Sequence, residues 1–573
     1  MHQPTVQPHV SSYFKYEVYP FVRPPEMDGV LPSPHPVVIV GAGPAGLVLA
    51  IQLALHGAKP VLVEAEAQVS GGSRALALTK RSMEIIALCG AAPRFLAEAI
   101  TWDSGRSFYK NRVVHELELP GSPDDKFAPM TNLAQCAMEK VLVDRARELG
   151  IDIRFQTRLA AMQVRGDGVR LTLDTPQGEY LLDADWVVGC DGARSSVRRL
   201  QGLRFEGTSY ESRFVIADFN IDLDEAPGRR CYFEPPWLPG HTALMHKAPK
   251  GVWRLDYQVP ADVSDEEALD PERIRSHIEA HLAYIGVDKP WTFEWTTLYK
   301  PNALTLASYN HGRVLYCGDA AHLLPVFGVR GMNTGVQDAV NLGWKLAAVA
   351  AGRAAPQLLD TYTSERVADA RQICLEASRS TRMVAPPTRG FRLMQQAVLS
   401  LSLNHAFTRP LLHWRTSRPI DYNDSPLTWS DPTESAFDAG PRPGAPVRNV
   451  RLHADGGGAW LLDAFGPCFQ VLVFGDDAQA WSAARDDVAA ARAQGVAVRL
   501  LAVRRDGATV AGADAVLQDP RGRAHALWDA TDGAVYVLRP DQHVLARWKA
   551  GGDTRVGDVL ERVLRSAEAA TLA

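Results

Sequence analysis

The sequence predicts an α/β protein whose first domain is interrupted by an inserted antiparallel sheet and followed by a second, smaller α/β module. Three observations predict this organisation. From Val37 the chain reads as a strand, a glycine turn, an apolar helix and a second strand, which is a parallel β-α-β opening. Between 204 and 304 the apolar runs become short, strand-like and punctuated by Pro and Gly. After residue 446 the order strand, helix, strand, strand returns, with a closing helix from Asp553.

The composition is that of an ordinary folded protein. Apolar residues make up 46% and charged residues 22% of the 573 residues, which excludes disordered and collagen-like chains. The net charge of −5 gives no electrostatic reason to expect a nucleic acid or an anionic membrane as partner. The seven cysteines form no CxxC or Cys/His cluster, so we expect neither a disulfide framework nor a metal site. Since no signal-peptide core or long apolar run is present, we expect a cytoplasmic protein.

Changes in pattern along the chain set the expected domain boundaries. The Pro-rich opening carries a central group of aromatic residues and is expected to dock as an extended arm. A Pro-, Gly- and Asp-rich stretch ahead of the last module is expected to be a linker. The predicted units are the arm at 1–36, the first domain at 37–203 and 305–415, the insertion at 204–304, the linker at 416–445 and the C-terminal module at 446–573.

The strongest local motif is the glycine turn of VVIVGAGPAGLVLAIQL, which contains Gly41, Gly43 and Gly46. These residues fit the GxGxxG fingerprint, in which glycines permit a tight turn, close approach to a pyrophosphate and close packing of helix on strand. Glu64 ends the next strand 23 residues after Gly41, where a carboxylate can accept hydrogen bonds from a ribose diol. The motif predicts a dinucleotide site, with a glycine-rich turn that binds no ligand as the alternative.

Two later motifs specify the dinucleotide. VVGCDGARSSVRR contains Asp191 and Gly192, and RVLYCGDAAHLLPVFGVRGMNTGVQDAVNLGWKL contains Gly318 and Asp319. With the glycine turn, they resemble the motifs of group A FAD-dependent aromatic monooxygenases, which share the p-hydroxybenzoate hydroxylase fold. The C-terminal module resembles the thioredoxin-like, non-redox domain of the phenol hydroxylase branch. The resemblance implies a Rossmann-like FAD-binding domain with an inserted antiparallel-sheet substrate domain and a C-terminal thioredoxin-like domain.

The resemblance also implies roles at the flavin. A carboxylate at the position of Asp319 accepts hydrogen bonds from the ribityl hydroxyls of FAD, although an N-cap role is the alternative for this residue. Backbone N–H groups at Gly331, Met332 and Asn333 face the flavin pyrimidine ring, where a helix start favours negative charge. A purely structural glycine-rich helix start is the alternative. The pair Val329-Arg330 departs from the usual family pattern, in which Gln or Leu is common between the glycines.

Further cofactor positions follow from the same resemblance. Arg74 matches the family arginine that reaches the pyrophosphate, a contact suited to a planar guanidinium. Gln135 lies on the helix that contacts the adenosine ribose or the pyrophosphate. Asp191 and Gly192 match a motif that serves both FAD and the nicotinamide cofactor. The alternatives are an ordinary surface arginine and an ordinary solvated glutamine.

The implied activity is hydroxylation of a phenolic aromatic compound, with FAD as cofactor and NAD(P)H and O₂ as co-substrates, through a flavin C4a-hydroperoxide. We expect a role in aromatic catabolism and a homo-oligomeric protein. Two alternatives stay open: a tailoring or resistance hydroxylase acting on a polyketide or antibiotic, and a flavin-binding sensor or scaffold without oxygenase turnover.

The catalytic residues are the least determined part of the prediction. Phenol hydroxylation needs a base or hydrogen-bond acceptor that raises electron density on the ring. His246, Tyr257 and Asp256 in the insertion are the main candidates, and Pro325 matches a family residue near the reacting oxygen. The sequence leaves open which face of each strand points inward, and an ordinary buried histidine is the alternative for His246. Further candidates in the insertion are Arg254, Tyr232 and His241.

Overall fold

A computed structural model of the chain describes residues 1–29, 34–72, 74–325, 328–412, 420–452, 459–506 and 508–565. The predicted boundary between the first domain and the linker, between 415 and 416, lies outside the described residues, as does the end of the C-terminal module at 566–573. Across the described ranges, no helix is long and apolar enough to cross a membrane. Within the same ranges, no group of His, Cys, Asp and Glu side chains could hold a metal ion.

The first domain is built on a sheet whose central strands are parallel and buried on both faces, as the apolar runs of the sequence require. Two antiparallel strands, Arg158–Val164 and Val169–Thr175, extend it from Gly178–Gly189. In order across the sheet, the other strands are Asn310–His311, Val314–Tyr316, Gly178–Gly189, His35–Val40, Val61–Val63 and Asp152–Arg154.

Thirteen α-helices are present in the described part of the chain. Pro44–Leu55 packs against both Gln135–Glu148 and Gly331–Ala350, and this layer covers the parallel sheet. The helices are Pro44–Leu55, Lys80–Leu88, Ala92–Glu98, Gln135–Glu148, Ser196–Leu200, Asp265–Ala268, Pro271–Tyr284, Gly331–Ala350, Asp360–Val384, Arg389–Ser402, Ala478–Ala493, Arg523–Trp528 and Val556–Arg565. Two three-stranded sheets join the layers: Ala77–Thr79 with Met130–Asn132 and Ile100–Trp102, and Glu206–Ser209 with Asn302–Thr305 and His322–Leu323.

The inserted sheet has seven strands, of which only five come from the expected insertion at 204–304. Its strands in spatial order are Trp291–Tyr299, Arg213–Ile221, Val252–Val259, Thr242–Lys247, Arg229–Phe233, Ser104–Tyr109 and Arg112–Glu118. The last two come from the segment that the sequence analysis assigned to the first domain. They join through parallel pairing of Ser104–Tyr109 with Arg229–Phe233, a long-range contact that local patterning does not encode.

The two faces of this sheet differ. Trp253, Leu255 and Tyr257 alternate along one strand and pack with Ile274 and Ile278 of helix Pro271–Tyr284; we call this the helix face. The intervening side chains form the opposite surface, the polar face. Its central residues are Asp218, Arg229, His246, Arg254 and Asp256, which the strand register places on one side.

The C-terminal module has the predicted α/β character. Its sheet mixes parallel and antiparallel strands, with helices Ala478–Ala493 and Val556–Arg565 packed together. The strand order is Ala515–Gln518, Val498–Arg504, Phe469–Phe474, Val535–Leu538 and Val544–Trp548. Buried charges join this module to the first domain: Arg539 donates to both carboxylate oxygens of Glu365 at 2.6 and 2.9 Å.

The N-terminal residues lie against both the first domain and the inserted sheet. Tyr19 is buried and stacks on Phe155, with ring centroids 4.1 Å apart. The Tyr16 hydroxyl accepts a hydrogen bond from the Gly72 N–H at 2.9 Å. Ser12 donates to Glu294 of the inserted sheet at 2.6 Å. The arm therefore connects the first domain to the inserted sheet.

Candidate active site

The glycine turn has three different environments. Gly41 has φ +106°, and a Cβ there would lie 2.6 Å from the Cys190 carbonyl oxygen; a Cβ on Gly46 would lie 2.0 Å from the Gly41 carbonyl oxygen. These two glycines are required for packing of strand and helix. A Cβ on Gly43 would meet only Glu139 Oε1, at 4.0 Å. The packing of the chain therefore does not require a glycine at Gly43. The open space beside this residue fits the close approach of a pyrophosphate.

Two backbone N–H groups fix the Glu64 carboxylate at the end of its strand. The Ala42 N–H donates to Glu64 Oε2 at 2.7 Å, and the Glu66 N–H donates to Glu64 Oε1 at 2.9 Å. Burial raises the pKa of this carboxyl, while these N–H donors oppose the rise. Each carboxylate oxygen keeps further acceptor capacity, so the group fits a ribose diol beside the glycine turn.

Gln135 lies at the start of helix Gln135–Glu148 and is fixed by its neighbours. The Ala75 N–H donates to Gln135 Oε1, and Gln135 Nε2 donates to Glu139 Oε1 at 2.8 Å. Gln135 is thus linked to the residue that follows Arg74. The Arg74 side chain is exposed, and its guanidinium carbon lies 5.0 Å from the centre of the Tyr299 ring.

Asp191 and Gly192 form the turn after strand Gly178–Gly189. Asp191 Oδ2 accepts from the Ser196 and Val197 N–H groups at 2.6 and 3.1 Å, so one carboxylate oxygen orients the short helix that follows. Asp191 Oδ1 is buried and has no hydrogen-bond partner among the described residues. Arg198 donates to the Ala320 carbonyl oxygen at 3.1 Å and thereby joins this motif to Asp319.

Asp319 is an exposed residue on an otherwise buried turn. Gly318 has φ +64° and, like Ala320, is buried, whereas the Asp319 side chain is exposed. Below the turn, Asp338 Oδ2 accepts from the Gly318 N–H at 3.2 Å. Asp338 is itself completely buried between His322 Nε2 and Arg366 Nε, each 2.6 Å from a carboxylate oxygen. Asp338 therefore supports the turn, and Asp319 is left to face a ligand.

The helix that begins at Gly331 is anchored by Asn333. Its Oδ1 accepts from the Thr79 N–H at 2.9 Å, and its Nδ2 donates to the Ala77 and Val329 carbonyl oxygens. Helix Gly331–Ala350 starts without a side-chain cap, so its first N–H groups are available to an acceptor. Val329 has φ +59°, a costly conformation for a β-branched residue that is typical of functional sites.

The polar face carries the groups suited to phenol chemistry. Arg254 Nε donates to Asp218 Oδ1 at 2.9 Å in a buried ion pair. Burial and the charge of Asp218 raise the pKa of Asp256 to about 7, opposed by Arg254 and Arg229. Asp256 Oδ1 is buried without a hydrogen-bond partner in the described chain. His246 is half-buried, and burial lowers its pKa to about 3, so its ring is neutral at pH 7.

The structure brings His246 and Asp256 together but separates them from Tyr257. Tyr257 lies on the helix face, stacked on His277 with ring centroids 4.8 Å apart. Tyr232 is on the same face and contacts His281. Neither tyrosine shares a surface with Asp256. Pro325 is buried at the end of the turn that follows His322.

The polar face meets the dinucleotide groove at one edge. A Cβ on Gly72 would lie 2.3 Å from the Trp295 ring, and Arg74 lies against Tyr299. Trp295 and Tyr299 point to the same side of the sheet as Asp218 through register pairing. At the opposite edge, Thr242 Oγ1 donates to the Val384 carbonyl oxygen at 2.8 Å. The polar face that carries Asp256 is therefore flanked by the FAD-type motifs at one edge and by a helix of the first domain at the other.

Sequence reasoning missed several residues that shape this site. Asp218 and Arg229 were not singled out, although both lie on the polar face. Glu139 was also missed; it accepts from Ser70 and Gln135, and burial raises its pKa to about 7. The alternation of Trp253, Leu255 and Tyr257 with Arg254 and Asp256 was the available signal for the two faces.

Comparison with known families decides which cofactor this geometry serves. The family model described as the FAD binding domain matches residues 35–377, more than half of the chain. The chain belongs to the FAD-binding family of flavin-dependent aromatic monooxygenases. A second model, described as the HcaD C-terminal domain, matches residues 449–563 of this monooxygenase. The predicted family, cofactor and fold class are thus confirmed, while the individual roles of the site residues stay predictions.

Two curated relatives match most of the monooxygenase chain. The 3-(3-hydroxy-phenyl)propionate/3-hydroxycinnamic acid hydroxylase of Mycolicibacterium smegmatis is 28% identical over 535 residues, covering 89% of this chain and 90% of the relative. The 12-dehydrotetracycline 5-monooxygenase/anhydrotetracycline 6-monooxygenase of Streptomyces rimosus is 30% identical over 543 residues, covering 88% and 98%. The monooxygenase thus has near-full-length relatives named for a small phenolic acid and for a polyketide.

Solved structures show the same architecture. The flavin-dependent monooxygenase PieE, in complex with FAD and substrate, aligns with a TM-score of 0.77 at 25% identity, covering 93% of this chain and 100% of PieE. Aklavinone-11 hydroxylase with FAD and aklavinone aligns with a TM-score of 0.71 at 27% identity, covering 92% and 98%. The open space at Gly43, the oriented Glu64 and the exposed Asp319 of the monooxygenase fit such a cofactor.

Proposed function

We propose that this monooxygenase hydroxylates a small phenolic compound, using FAD as cofactor and NAD(P)H and O₂ as co-substrates. The balanced reaction consumes the phenol, O₂, NAD(P)H and one proton, and yields the ring-hydroxylated phenol, NAD(P)⁺ and water. Bound FAD supplies the redox chemistry, taking electrons from NAD(P)H and passing one oxygen atom of O₂ to the ring. Glu64, Asp319 and the N–H groups of Gly331–Asn333 would hold it.

The observation that carries this proposal is the acceptor on the polar face. Asp256 Oδ1 is buried, has no hydrogen-bond partner in the described chain, and belongs to a carboxyl with a pKa of about 7. A phenolic O–H placed against Oδ1 would donate its proton to this oxygen. Removing that proton raises electron density at the ring carbons ortho and para to the oxygen, which favours attack by an electrophilic oxygen. A pKa near the working pH suits this general-base role.

His246 has a different task beside Asp256. Because burial, Arg229 and Arg254 keep its pKa near 3, the imidazole is neutral and can both accept and donate a hydrogen bond. A neutral ring carries no acidic imidazolium proton that could be transferred to the Asp256 carboxylate at pH 7. We therefore assign His246 to orienting the substrate rather than to proton transfer.

Contacts at both edges of the polar face fit the same activity. Gly72 packs against Trp295 at one edge, and Thr242 donates to the Val384 carbonyl oxygen at the other. Excluding water protects a reactive oxygen-transfer step from a wasteful release of H₂O₂.

A second candidate function is tailoring of a polyketide. The near-full-length match to the tetracycline monooxygenase and the alignment with aklavinone-11 hydroxylase favour this alternative specifically. The two functions share one reaction and differ in substrate size.

The deciding experiment measures NAD(P)H oxidation in air by the FAD-loaded protein against small phenols, phenolic acids and polycyclic phenols, with hydroxylated product and H₂O₂ both quantified. Stimulation with product formed from a small phenol supports the proposal. Product only from polycyclic phenols supports the tailoring function. Tight FAD binding without product from any aromatic compound overturns both and leaves a flavin-binding protein without oxygenase turnover.

A further inference from the structure

Residues 377–412 differ in charge from the chain as a whole. They contain five arginines and no lysine, aspartate or glutamate, whereas the complete chain has a net charge of −5. They form the end of helix Asp360–Val384, helix Arg389–Ser402 and a 3-10 turn, Ala406–Leu412. We call this positively charged unit the cap.

The inner side of the cap packs on the inserted sheet. Val398 and Leu399 of the cap belong to one apolar cluster with residues of the sheet. Two of those sheet residues, Ile216 and Leu244, are the register partners of Asp256 on its neighbouring strands. The cap therefore covers the row of the polar face that carries Asp256.

The outer side of the cap is apolar. On helix Arg389–Ser402, Leu393 and Leu401 are 59% and 45% exposed, and their spacing of eight residues places them on one side of the helix. Met394, beside them, is also exposed. In the turn that follows, Phe407 is 78% exposed. Large apolar side chains grouped at the surface mark a site of interaction.

The arginines of the cap accompany these apolar side chains. Arg389 precedes Leu393 by one helical turn, which places the two side chains next to each other. Arg382 lies over the Phe391 ring at 5.6 Å. Both arginines are exposed, and neither forms an ion pair with a carboxylate in the part of the chain that the structure describes.

The two carboxylates that contact the cap region have other partners. Glu234 accepts a hydrogen bond from Gln396 Nε2 at 3.1 Å, and Glu376 pairs with Arg330 at 3.2 Å. The outer side of the cap is therefore both apolar and positively charged. The negative net charge of the whole chain does not cancel this local charge, because exposed charges more than about 8 Å away are largely screened at physiological salt.

This combination fits the surface of an anionic lipid bilayer. Leucine, methionine and phenylalanine side chains can enter the boundary between headgroups and acyl chains, while arginines beside them meet lipid phosphates. Helix Arg389–Ser402 has 14 residues and is about 21 Å long, which is shorter than the hydrocarbon core of about 30 Å, so it suits the plane of the interface. A second copy of the chain fits less well, since facing caps would bring arginines against arginines.

We propose that the outer side of the cap docks on an anionic lipid bilayer. Docking of this kind goes beyond the proposed hydroxylase function and does not depend on it. It places the row that carries Asp256 one helix layer, about 10 Å, below the lipid headgroups. A protein docked in this way holds its polar face next to the interface in which apolar phenols accumulate.

The test measures binding of the FAD-loaded protein to vesicles by flotation, without NAD(P)H. One set of vesicles contains phosphatidylcholine alone, and the other contains phosphatidylcholine and phosphatidylglycerol in equal parts. We expect binding to the anionic vesicles to be about 10-fold tighter or more, given the contribution of each basic residue near such a surface. Most of this preference should disappear in 1 M salt, where the Debye length is about 3 Å. Equal binding to both sets of vesicles, or to neither, would overturn the proposal.

Variants locate the contact. Phe407→Ser should weaken binding to the anionic vesicles about 10-fold, because it removes an inserted aromatic ring. Arg382→Gln combined with Arg389→Gln should weaken it by a similar factor. Phe293→Ser and Arg521→Gln are the matched controls, since both side chains are exposed and lie outside the cap. All these variants should keep the flavin absorbance and the melting temperature of the parent protein.

Two other partners of the cap are separated by the same variants. Binding to soluble polyglutamate as tight as to anionic vesicles, and unchanged in Phe407→Ser, would indicate an acidic protein partner and overturn the proposal. A change of oligomeric state in Phe407→Ser, measured by sedimentation, with unchanged vesicle binding would make the cap a contact between copies and would overturn it as well.

Discussion

Asp256 and Tyr257 are adjacent in one strand, yet their side chains lie on opposite surfaces of the inserted sheet. Asp256 lies on the polar face, whereas Tyr257 stacks on His277 of helix Pro271–Tyr284 on the helix face. Only Asp256 can reach a substrate from this position. The two residues therefore form a natural pair of test and control.

Asp256→Asn should lower kcat about 100-fold or more, because positioned bases commonly contribute that much. The rate of hydroxylation by the unaltered protein should rise as pH increases through about 7, where Asp256 loses its proton, and this limb should vanish in the variant. The measurement is product formation against pH at saturating substrate. Tyr257→Phe should keep both the rate and the pH profile, and an unchanged profile in Asp256→Asn would contradict the assigned role.

How much of this site could be predicted from sequence depends on whether the signal is local. The glycine turn, Glu64 and Asp319 belong to short motifs that can be recognised without knowledge of the tertiary structure. Their placement follows from the strand–turn–helix pattern of the sequence. The two-residue alternation around Asp256 could also have separated it from Tyr257. The pairing of Ser104–Tyr109 with Arg229–Phe233 could not be predicted, because it joins segments more than a hundred residues apart.

Gly43 and Gly46 should respond differently to substitution. Gly43→Val should lower FAD affinity with little change in the melting temperature of the FAD-free protein, since the space beside Gly43 is open. Gly46→Val should prevent normal folding, because even its Cβ would overlap the Gly41 carbonyl oxygen. FAD titration and thermal melts of both variants check this. Unchanged FAD affinity in a folded Gly43→Val protein would remove the pyrophosphate contact from the model of the site.

Asp319 and Asp338 offer a second contrast between binding and support. Asp319→Ala should leave a folded protein with reduced FAD occupancy, because the Asp319 side chain is exposed. Asp338→Ala should lower the free energy of unfolding by about 3–5 kcal/mol, since it leaves the buried Arg366 and His322 without their shared carboxylate. FAD content after purification and denaturant melts separate the two effects. A fully yellow Asp319→Ala protein would refute the ribityl role.

Arg539 should couple the C-terminal module to the first domain. Its guanidinium is buried against Glu365, which also accepts from Lys345 Nζ at 2.7 Å. Arg539→Met should destabilise the protein by about 3–5 kcal/mol, because Glu365 would lose one of the two cations that pair with it among the described residues. The charges of Arg539 and Lys345 lower the pKa of Glu365, against the effect of burial. The stabilisation is therefore present above the unfolded-state pKa and is lost as pH falls. Urea melts at neutral and acidic pH measure it, and a variant as stable as the parent protein would exclude this coupling.

The N-terminal arm should act on the flavin site through Tyr16. The family match begins at residue 35, so the arm is outside the matched region, yet the Tyr16 hydroxyl accepts from the Gly72 N–H two residues before Arg74. Tyr16→Phe removes this hydrogen bond and should cost about 1 kcal/mol of local stability in the segment that leads to the pyrophosphate. The expected result is faster FAD release, measured by stopped-flow exchange with an excess of a flavin analogue.

Tyr19→Phe is the matched control: its hydroxyl has no hydrogen-bond partner in the described chain, so FAD release should keep its rate. Equal release rates in all three proteins would restrict the arm to docking alone.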